Sequence, residues 1–222
     1  VVERYANVKP EDVLAMKNFI SLPYSPAFIR GLHAIPCPYH NYYFFTKEQL
    51  EEEQEQFAKG NVRGEVVSRV EEELFELYKD EQLDVKPNQL EMRGGAKYSD
   101  AACNLIASIY TDKRDIQYVD VQNNGCISDL PDESAVEVAC MITADGPKPL
   151  ATGEMKPTIS GTIHMIKAFE RMVVEDAVTG NRDLAVTALN MNPLCPSDHL
   201  ANIVVDELIE AHKEYLPQFR GK

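Results

Sequence analysis

Two short segments with the pattern of β-strands lie in the middle of this 222-residue chain, and helical patterns lie on both sides of them. Residues 116–121 alternate between two faces, as a half-buried strand does. Residues 135–143 form the second segment, and the turn-forming sequence Asp145-Gly146-Pro147 ends it. Between them, Asn123-Asn124-Gly125 has the sequence of a tight hairpin turn. The pattern predicts a small antiparallel sheet in a helix-rich chain.

Helical patterns cover most of the remaining sequence. A strongly charged helix is predicted from Thr46 to Ala58, and a second helix at 62–79 has an apolar stripe of Val66, Val70, Leu74 and Leu77 beside a solvated acidic run. Further helices are predicted at 9–18, 100–110, 161–178, 181–190 and 196–216, with a connector at 84–91. We find no internal repeat, linker or low-complexity segment. The prediction is therefore one α+β domain over residues 1–222.

Charge and composition exclude several classes of function. The formal net charge of −14 repels phosphate backbones, which argues against a nucleic-acid partner. A small anionic substrate can still be bound by a few Arg or Lys side chains. The chain has no apolar run of about 18 residues, so no transmembrane helix is predicted. The first residues lack the features of a signal peptide, and the absence of an initial Met suggests a fragment or a trimmed chain.

The five cysteines indicate reduced thiols. They are odd in number, contain no CxxC pair, and three of them lie in apolar runs, such as Cys103 and Cys140. We interpret them as buried, reduced thiols of a cytoplasmic protein. The histidines are scattered, and none is paired with a cysteine at metal-ligand spacing. No metal site is predicted within this chain.

Tyr39 is the first candidate for chemistry, because it lies in a rigid segment rich in proline and aromatic residues (35–45) that we expect to pack against something. A tyrosine there can carry a proton if a cation or metal lowers its pKa from the usual value near 10. His40 can act with it as acid or base. The alternative is that both side chains belong to an aromatic core.

Arg63 and the segment that begins at Arg93 are the candidates for ligand binding. Arg63 follows Gly60 at a predicted helix start, where free amides, the helix dipole and a guanidinium favour an anion. The alternative for Arg63 is a solvated side chain paired with a glutamate. In the second segment, Gly94 and Gly95 let a backbone approach a ligand closely, although a tight turn with Ser99 or Asp100 as the helix N-cap explains it equally well. The residues alone indicate an α+β domain with a candidate anion site.

Several segments resemble, in the same order, those of the family 4 glycoside hydrolases. They are Ile35-Pro36-Cys37-Pro38-Tyr39-His40-Asn41-Tyr42-Tyr43, Arg93-Gly94-Gly95-Ala96-Lys97-Tyr98-Ser99-Asp100-Ala101-Ala102, Asn123-Asn124-Gly125, Ala135-Val136-Glu137-Val138 and Leu208-Ile209-Glu210-Ala211-His212-Lys213-Glu214-Tyr215-Leu216-Pro217. The resemblance spans nearly the whole chain. The stretch at 93–99 is similar to the 6-phospho-β-glucosidase branch of the family.

The resemblance implies a fold and a mechanism. Family members resemble lactate and malate dehydrogenases, with an N-terminal Rossmann domain followed by a mixed α+β domain, and this chain matches the second. The family is an exception among glycoside hydrolases: bound NAD takes a hydride from sugar C3, a base removes the C2 proton, the aglycone leaves by elimination, and water and hydride are then added back. Mn²⁺ on the C2 and C3 oxygens acts as the Lewis acid. The implied substrate is a phosphorylated disaccharide or an aryl β-glucoside 6-phosphate.

The resemblance also assigns residues. Tyr39 matches the proposed C2 base, and Arg63 matches the arginine that binds the phosphorylated sugar. Gly94, Gly95, Tyr98 and Ser99 are expected to line the same cleft. The family's metal-ligating Cys and His motifs and its glycine-rich NAD loop precede the part that this chain matches, so we expect the chain alone to bind NAD and Mn²⁺ weakly or not at all, and to be inactive. Cys37 is not a predicted metal ligand.

The sequence is compatible with three other functions. The protein can have another family 4 specificity, for α-linked phosphosugars or unphosphorylated sugars. It can be a non-catalytic domain that binds a sugar phosphate or assembles subunits, and we expect a homo-oligomer, a dimer or tetramer. A dehydrogenase of the malate type shares the expected architecture and is the third alternative.

Overall fold

The structure, a computed structural model, describes residues 1–7, 24–93 and 98–219. The helix predicted at 9–18 and the glycines Gly94 and Gly95 lie outside these ranges. The chain divides into two compact units, Val1–Val121 with Val136–Leu150, and Gln122–Ala135 with Ala151–Lys222. None of the helices in the described ranges has both the length and the apolar character needed to cross a membrane.

The first unit is mostly helical. Its α-helices are α1 (Val2–Ala6), α2 (Pro26–Leu32), α3 (Asn41–Phe44), α4 (Thr46–Ala58), α5 (Arg63–Leu77), α6 (Gln89–Arg93) and α7 (Tyr98–Thr111), and a 3-10 helix (Pro38–His40) precedes α3. Helix α4 has the predicted bounds, and α5 lies within the predicted 62–79. The structure corrects two predictions: α6 lies where a connector was expected, and α7 already begins at Tyr98, so neither Ser99 nor Asp100 is its N-cap.

Helix α5 buries the centre of its predicted stripe and holds α6 with its acidic run. Val70 and Leu74 are buried, whereas Leu77 at the end of the helix is exposed. Glu71 accepts a hydrogen bond from Nε of Arg93 at 2.7 Å, and Glu73 accepts one from Gln89 at 3.3 Å. The acidic run is therefore not only a solvated face, because two of its carboxylates bind the neighbouring short helix.

The aromatic segment 35–45 packs against the rings of Tyr24 and Phe28, as the expectation that it packs against something requires. The ring of Tyr24 lies 5.5 Å from Phe28, 6.0 Å from Phe44 and 4.9 Å from Phe45, measured between centroids. These separations fall in the range of favourable aromatic pairs. The hydroxyl of Tyr24 donates a hydrogen bond to Oδ1 of Asn41 at 2.8 Å. This cluster fixes α2 and α3 on either side of the 3-10 helix that carries Tyr39.

Three antiparallel strands form the sheet, in the order β1 (Ile116–Gln122), β2 (Ala135–Thr143) and β3 (Gly146–Pro149). Along β2, alternate residues are buried, namely Val136, Val138, Cys140 and Ile142. The predicted small antiparallel sheet is thus confirmed. Strand β3 was not predicted, because Asp145-Gly146-Pro147 indicates only a turn. It pairs with β2 from Thr143 opposite Gly146 to Cys140 opposite Pro149.

The predicted turn after β1 forms, but it does not join β1 directly to β2. Asn124 and Gly125 have φ of 43° and 81°, as a tight turn requires. The chain then continues through residues 126–134 before β2 begins. The amide of Asn123, which is fully buried, donates to the carbonyl oxygens of Ile127 and Leu130 and closes this loop. A buried polar side chain therefore determines the loop, and the hairpin expected at this point is wrong.

The second unit consists mainly of helices α8 (Pro157–Thr179), α9 (Arg182–Met191) and α10 (Asp198–Ala211), with a 3-10 helix at Pro217–Phe219. The sequence predicts these three helices, but α8 starts earlier than 161, with Pro157 at its first position, and α10 ends before 216. Ala201 and Val205 of α10 pack against Val186 of α9 to form the buried core between them. This core positions α9 and α10 against each other.

The cysteines are only partly as predicted. None of the five is in a disulfide, and Cys126 and Cys140 are buried. Cys37 and Cys103, however, are exposed, so the expectation that the thiols are buried is wrong for these two. Cys103 is exposed because the described residues leave the apolar face of α7 uncovered. Ile106 and Tyr110 on the same helix are exposed as well.

Candidate active site

Tyr39 lies in the 3-10 helix Pro38–His40, between the proline-rich segment and α3. Pro38 occupies the first position of this helix, where its fixed φ favours the turn. Tyr39 is 55% exposed, so a ligand in solvent can reach this residue. The sequence prediction of a tyrosine held in a rigid turn agrees with this position. Its predicted role as a base is untested by the geometry.

The side chain of His40 caps the same turn. The backbone N–H of Cys37 donates to Nδ1 of His40 at 3.1 Å. The His40 ring stacks on Phe44, with a centroid distance of 6.2 Å and an interplanar angle of 18°. The orientation of the turn that carries Tyr39 is therefore fixed from two sides.

Tyr42, one turn after Tyr39, lines a cleft of about 420 Å³ between α4 and the start of α5. Burial and the carboxylate of Glu53, to which it is hydrogen-bonded, raise the pKa of Tyr42 above its ordinary value; Tyr39 contributes in the same direction. Tyr42 is therefore held in its protonated form and can donate a proton or a hydrogen bond. It is not suited to be the base.

Arg63 lines the same cleft and is the first residue of α5, as the sequence predicts. Its guanidinium donates to the carbonyl oxygen of Met92 at 3.1 Å and to that of Arg93. Because Arg93 is bonded to Gly94, Arg63 is brought to the beginning of the glycine segment that the sequence singled out. A guanidinium has five N–H donors, so these two contacts leave further donors for a ligand.

Polar residues of α4 form one wall of the cleft, and the sequence analysis missed them. Gln49, Glu52, Glu53 and Gln56 recur at the spacing of one helix face. Gln49 is only 4% exposed, and its amide nitrogen has no hydrogen-bond partner in the described part of the chain. The spacing of these residues could have indicated a shared polar face. It was not interpreted as a cleft wall because polar residues on a charged helix usually face solvent. Phe57, exposed at the cleft, adds an apolar surface.

The remaining predicted residues are not brought into this cleft. Tyr98 and Ser99 lie in the first turn of α7 and are exposed, and neither lines the cleft. Gly94 and Gly95 lie outside the described residues. Their assignment to the site stays a prediction.

The described residues do not offer a metal site. Across 1–7, 24–93 and 98–219, no group of three or more His, Cys, Asp or Glu side chains is arranged to hold a metal ion. The cleft carries carboxylates on α4, a guanidinium on α5 and two aromatic side chains. This combination of groups suits a hydroxylated ligand with an anionic substituent near the cation.

Comparison with known proteins identifies the family. The model of the family 4 glycosyl hydrolase C-terminal domain matches residues 3–195. The chain belongs to glycosyl hydrolase family 4. It is 54% identical over 213 residues to a protein of Bacillus subtilis named probable 6-phospho-beta-glucosidase, covering 96% of this chain and 48% of that protein. It is 44% identical over 207 residues to the 6-phospho-beta-glucosidase of Escherichia coli, covering 92% and 46%.

A solved family 4 structure has the same fold. The 6-phospho-beta glucosidase of Thermotoga maritima, determined with manganese, NAD+ and glucose-6-phosphate, superposes with a TM-score of 0.76 and 31% identity. The match covers 87% of this chain and 45% of that chain. This family 4 chain therefore spans about half the length of the relatives that it matches. The predicted fold class, a helix-rich α+β domain of family 4, is confirmed.

Proposed function

We propose that this chain is the C-terminal, substrate-binding half of an NAD- and Mn²⁺-dependent 6-phospho-β-glucosidase. The observation that carries the proposal is the match of nearly the whole chain to proteins of that name, at 54% identity to one of them. The cleft lined by Tyr42 and Arg63 supports it, although Tyr39, one turn before Tyr42, does not itself line the cleft. The substrate class is a phosphorylated disaccharide or an aryl β-glucoside 6-phosphate.

Tyr39 is proposed as the base that removes the proton from sugar C2. Tyr39 is exposed and can contact a ligand, whereas its neighbour Tyr42 keeps its proton because of burial and Glu53. The two tyrosines therefore suit different roles, one that accepts a proton from the substrate and one that donates to a carboxylate.

Arg63 is proposed to contact the sugar phosphate and to fix the glycine segment. The phosphate is expected at the Arg63 end of the cleft, because Glu52 and Glu53 on the α4 side repel an anion. The contacts from Arg63 to Met92 and Arg93 hold the approach to Gly94. Gly94, Gly95, Tyr98 and Ser99 are proposed to complete the binding surface.

The cofactors are proposed to be held mainly by a part of the protein outside this chain. When bound, NAD and Mn²⁺ supply the hydride acceptor and the Lewis acid of the reaction. The described residues do not fit a metal, because no group of three or more His, Cys, Asp or Glu side chains among them is arranged to hold one. We expect the 222-residue chain alone to bind NAD weakly or not at all and to be inactive. Stoichiometric, tight binding of NAD to the chain in calorimetry would contradict this expectation.

The function is tested on the full-length protein with an aryl 6-phospho-β-glucoside and its α-anomer. We expect hydrolysis of the β-anomer that requires both NAD and Mn²⁺. Deuterium at C2 should slow turnover if the C2 proton is removed during the reaction. Activity of the wild type without NAD would overturn the mechanism, and a preference for the α-anomer would overturn the specificity.

The role of Tyr39 is tested by Tyr39→Phe, with Tyr215→Phe as the matched control because Tyr215 is 81% exposed and follows α10. We expect Tyr39→Phe to lower kcat by at least about a hundredfold, the usual lower value for loss of a general base. The control should keep wild-type activity. A normal kcat in the Tyr39→Phe enzyme would show that Tyr39 is not the base.

We also propose that the protein is a cytoplasmic homo-oligomer. Five free thiols suit a reducing compartment. The exposed side chains Ile106 and Tyr110 on α7 offer an apolar surface for assembly. Sedimentation velocity of the full-length protein, expected to give a dimer or tetramer, tests this; a monomer at all concentrations would contradict it.

A further inference from the structure

Gln49 of α4 carries a buried amide that no residue of the described chain satisfies. The residue is 4% exposed, and its side-chain nitrogen has no hydrogen-bond partner in the described ranges. A buried polar group without a partner is uncommon and destabilises the free protein. Gln49 also lines the cleft of about 420 Å³ that contains Arg63. The missing partner is therefore expected to come from a molecule in this cleft.

Gln49 lies at the end of the cleft that is remote from Arg63. The N–H of Asn61 donates to the carbonyl oxygen of Gln56 at 2.9 Å, so the chain that leads to Arg63 stays at the C-terminal end of α4. Gln49 precedes Phe57 by eight residues, which corresponds to about 12 Å along the helix. Both side chains line the cleft. The cleft therefore extends over two turns of α4, from the Arg63 end to Gln49.

The order of groups along the cleft places the aglycone beside Gln49. The proposed phosphate contact, Arg63, lies at one end. Glu53, one turn of α4 after Gln49, is hydrogen-bonded to Tyr42, and Tyr42 follows the proposed base Tyr39 by one turn. The sugar ring, which loses its C2 proton to that base, is therefore expected at the middle of the cleft. Because C1 is bonded to C2 and carries the aglycone, the aglycone occupies the remaining end.

We propose that Gln49 determines the aglycone specificity by donating a hydrogen bond to a hydroxyl group of the aglycone, which is a second sugar. The assignment rests on the proposed function, because it uses the positions given there to the phosphate and to C2. The last torsion of a glutamine side chain is broad, so the amide can turn its N–H groups toward the cleft. A sugar offers hydroxyl groups that accept this bond, whereas a phenyl group offers none. A site that hydrogen-bonds a hydroxyl group discriminates against an analogue that lacks it.

The test compares two substrates of the full-length protein, in the presence of NAD and Mn²⁺, that differ only in the aglycone. One is a β-linked glucosyl-glucose phosphorylated at C6 of the non-reducing unit, and the other is phenyl β-glucoside 6-phosphate. The measured quantity is the ratio of kcat/KM for the disaccharide to kcat/KM for the phenyl compound, from which any loss of active protein cancels. We expect Gln49→Met to lower this ratio on the order of tenfold, as the loss of one hydrogen bond does. The kcat/KM for the phenyl compound should stay near the wild-type value.

Two further variants and a stability measurement accompany this test. Gln49→Leu also removes the amide and should lower the ratio in the same way. Gln82→Met is the matched control, because Gln82 is exposed between α5 and α6 and does not line the cleft. It should leave the ratio unchanged. In the free protein the Gln49 amide has no partner to lose, so Gln49→Met should keep Tm at or above the wild-type value.

The outcomes separate this role of Gln49 from the proposed function. A wild-type ratio in both Gln49 variants would overturn the role of Gln49 and leave the proposed function standing. An equal fall of kcat/KM for the two substrates would also overturn it, and Tm then shows whether Gln49 supports the fold or contacts the glucose unit. If the wild type hydrolyses neither substrate, the proposed function and the role of Gln49 both fail. If one Gln49 variant does not fold, the ratio of the other variant decides.

Discussion

The guanidinium of Arg63 donates a hydrogen bond to the carbonyl oxygen of Arg93, so the first residue of α5 holds the last residue of α6. A second bond reaches the carbonyl of Met92 at 3.1 Å. Carbonyls at the end of a helix have no partner within the helix. Arg63 thus satisfies the end of α6 at the point where the chain enters the glycine segment.

Arg63→Met should loosen α6. Loss of a hydrogen bond of this kind costs about 1 kcal/mol, which corresponds to roughly fivefold faster amide exchange in residues 89–93. Arg63→Lys should be intermediate, since an ammonium cannot bridge both carbonyls as the planar guanidinium does. Hydrogen exchange followed by mass spectrometry measures both.

The matched control for Arg63 is Arg69→Met. Arg69 lies on the same helix and donates a hydrogen bond to Oδ1 of the exposed Asn61 at 3.2 Å. Arg69→Met should leave amide hydrogen exchange in α6 unchanged. If Arg63→Met and Arg69→Met give the same exchange, the contact with Arg93 does not hold α6.

The helices with strong local signals could be predicted from the sequence, whereas the elements that depend on distant side chains could not. The apolar stripe of α5 and the break at Gly60 place that helix to within two residues. Helix α6 has no such stripe and is held by Arg63, Glu71 and Glu73 through side-chain contacts across the unit. The loop after β1 likewise depends on the buried amide of Asn123.

The candidate site shows the same division. Arg63 and Tyr39 stand out because a helix start and a rigid proline turn are local features, and the family resemblance gives them roles. The wall formed by Gln49, Glu52 and Glu53 was missed, because polar residues on a charged helix normally face water. Only the three-dimensional position of α5 turns that face into a cleft.

Gly180→Ala should destabilise the second unit strongly. Gly180 ends α8 with φ of 68°, and a Cβ atom there would lie 1.9 Å from the carbonyl oxygen of Gln218. The left-handed backbone and the forced shift of the 3-10 helix together cost about 2–4 kcal/mol. Urea denaturation of the 222-residue chain measures the loss.

Gly161→Ala is the control for Gly180 and should have the opposite sign. Gly161 lies inside α8, and a Cβ atom there meets nothing within 4 Å. Replacing a helical glycine with alanine stabilises by about 0.5–1 kcal/mol. Equal effects of the two substitutions would show that the carbonyl of Gln218 does not limit the space at Gly180.

Tyr24→Phe should destabilise the aromatic cluster, because Oδ1 of the buried Asn41 then loses its hydroxyl donor. The expected cost is about 1–2 kcal/mol at neutral pH. Burial, followed by the charges of Tyr5 and Cys37, raises the pKa of Tyr24 to about 12.

The raised pKa of Tyr24 gives this effect a defined pH dependence. The folded state keeps the proton to higher pH than the unfolded state, in which the pKa is near 10. The stabilising contribution is therefore complete below pH 10 and is lost as the pH rises toward 12. The difference in unfolding free energy between wild type and Tyr24→Phe should shrink over that interval. The difference in unfolding free energy between wild type and Tyr110→Phe, an exposed control, should stay small over the same pH interval.

Asp176→Asn should stabilise the second unit at neutral pH. Asp176 is a buried carboxyl on α8, and burial raises its pKa above the ordinary value near 4. The folded state then binds its proton more tightly than the unfolded state, so the contribution of Asp176 is favourable at acid pH and is lost as the pH rises through the raised pKa. Asn carries no charge and avoids this loss.

The gain in unfolding free energy from Asp176→Asn should therefore be largest near pH 7 and vanish below pH 4 in urea denaturation series. Asp84→Asn, at an exposed position, should show no such trend. A pH-independent difference between Asp176→Asn and wild type would mean that the carboxyl is not desolvated in the folded chain.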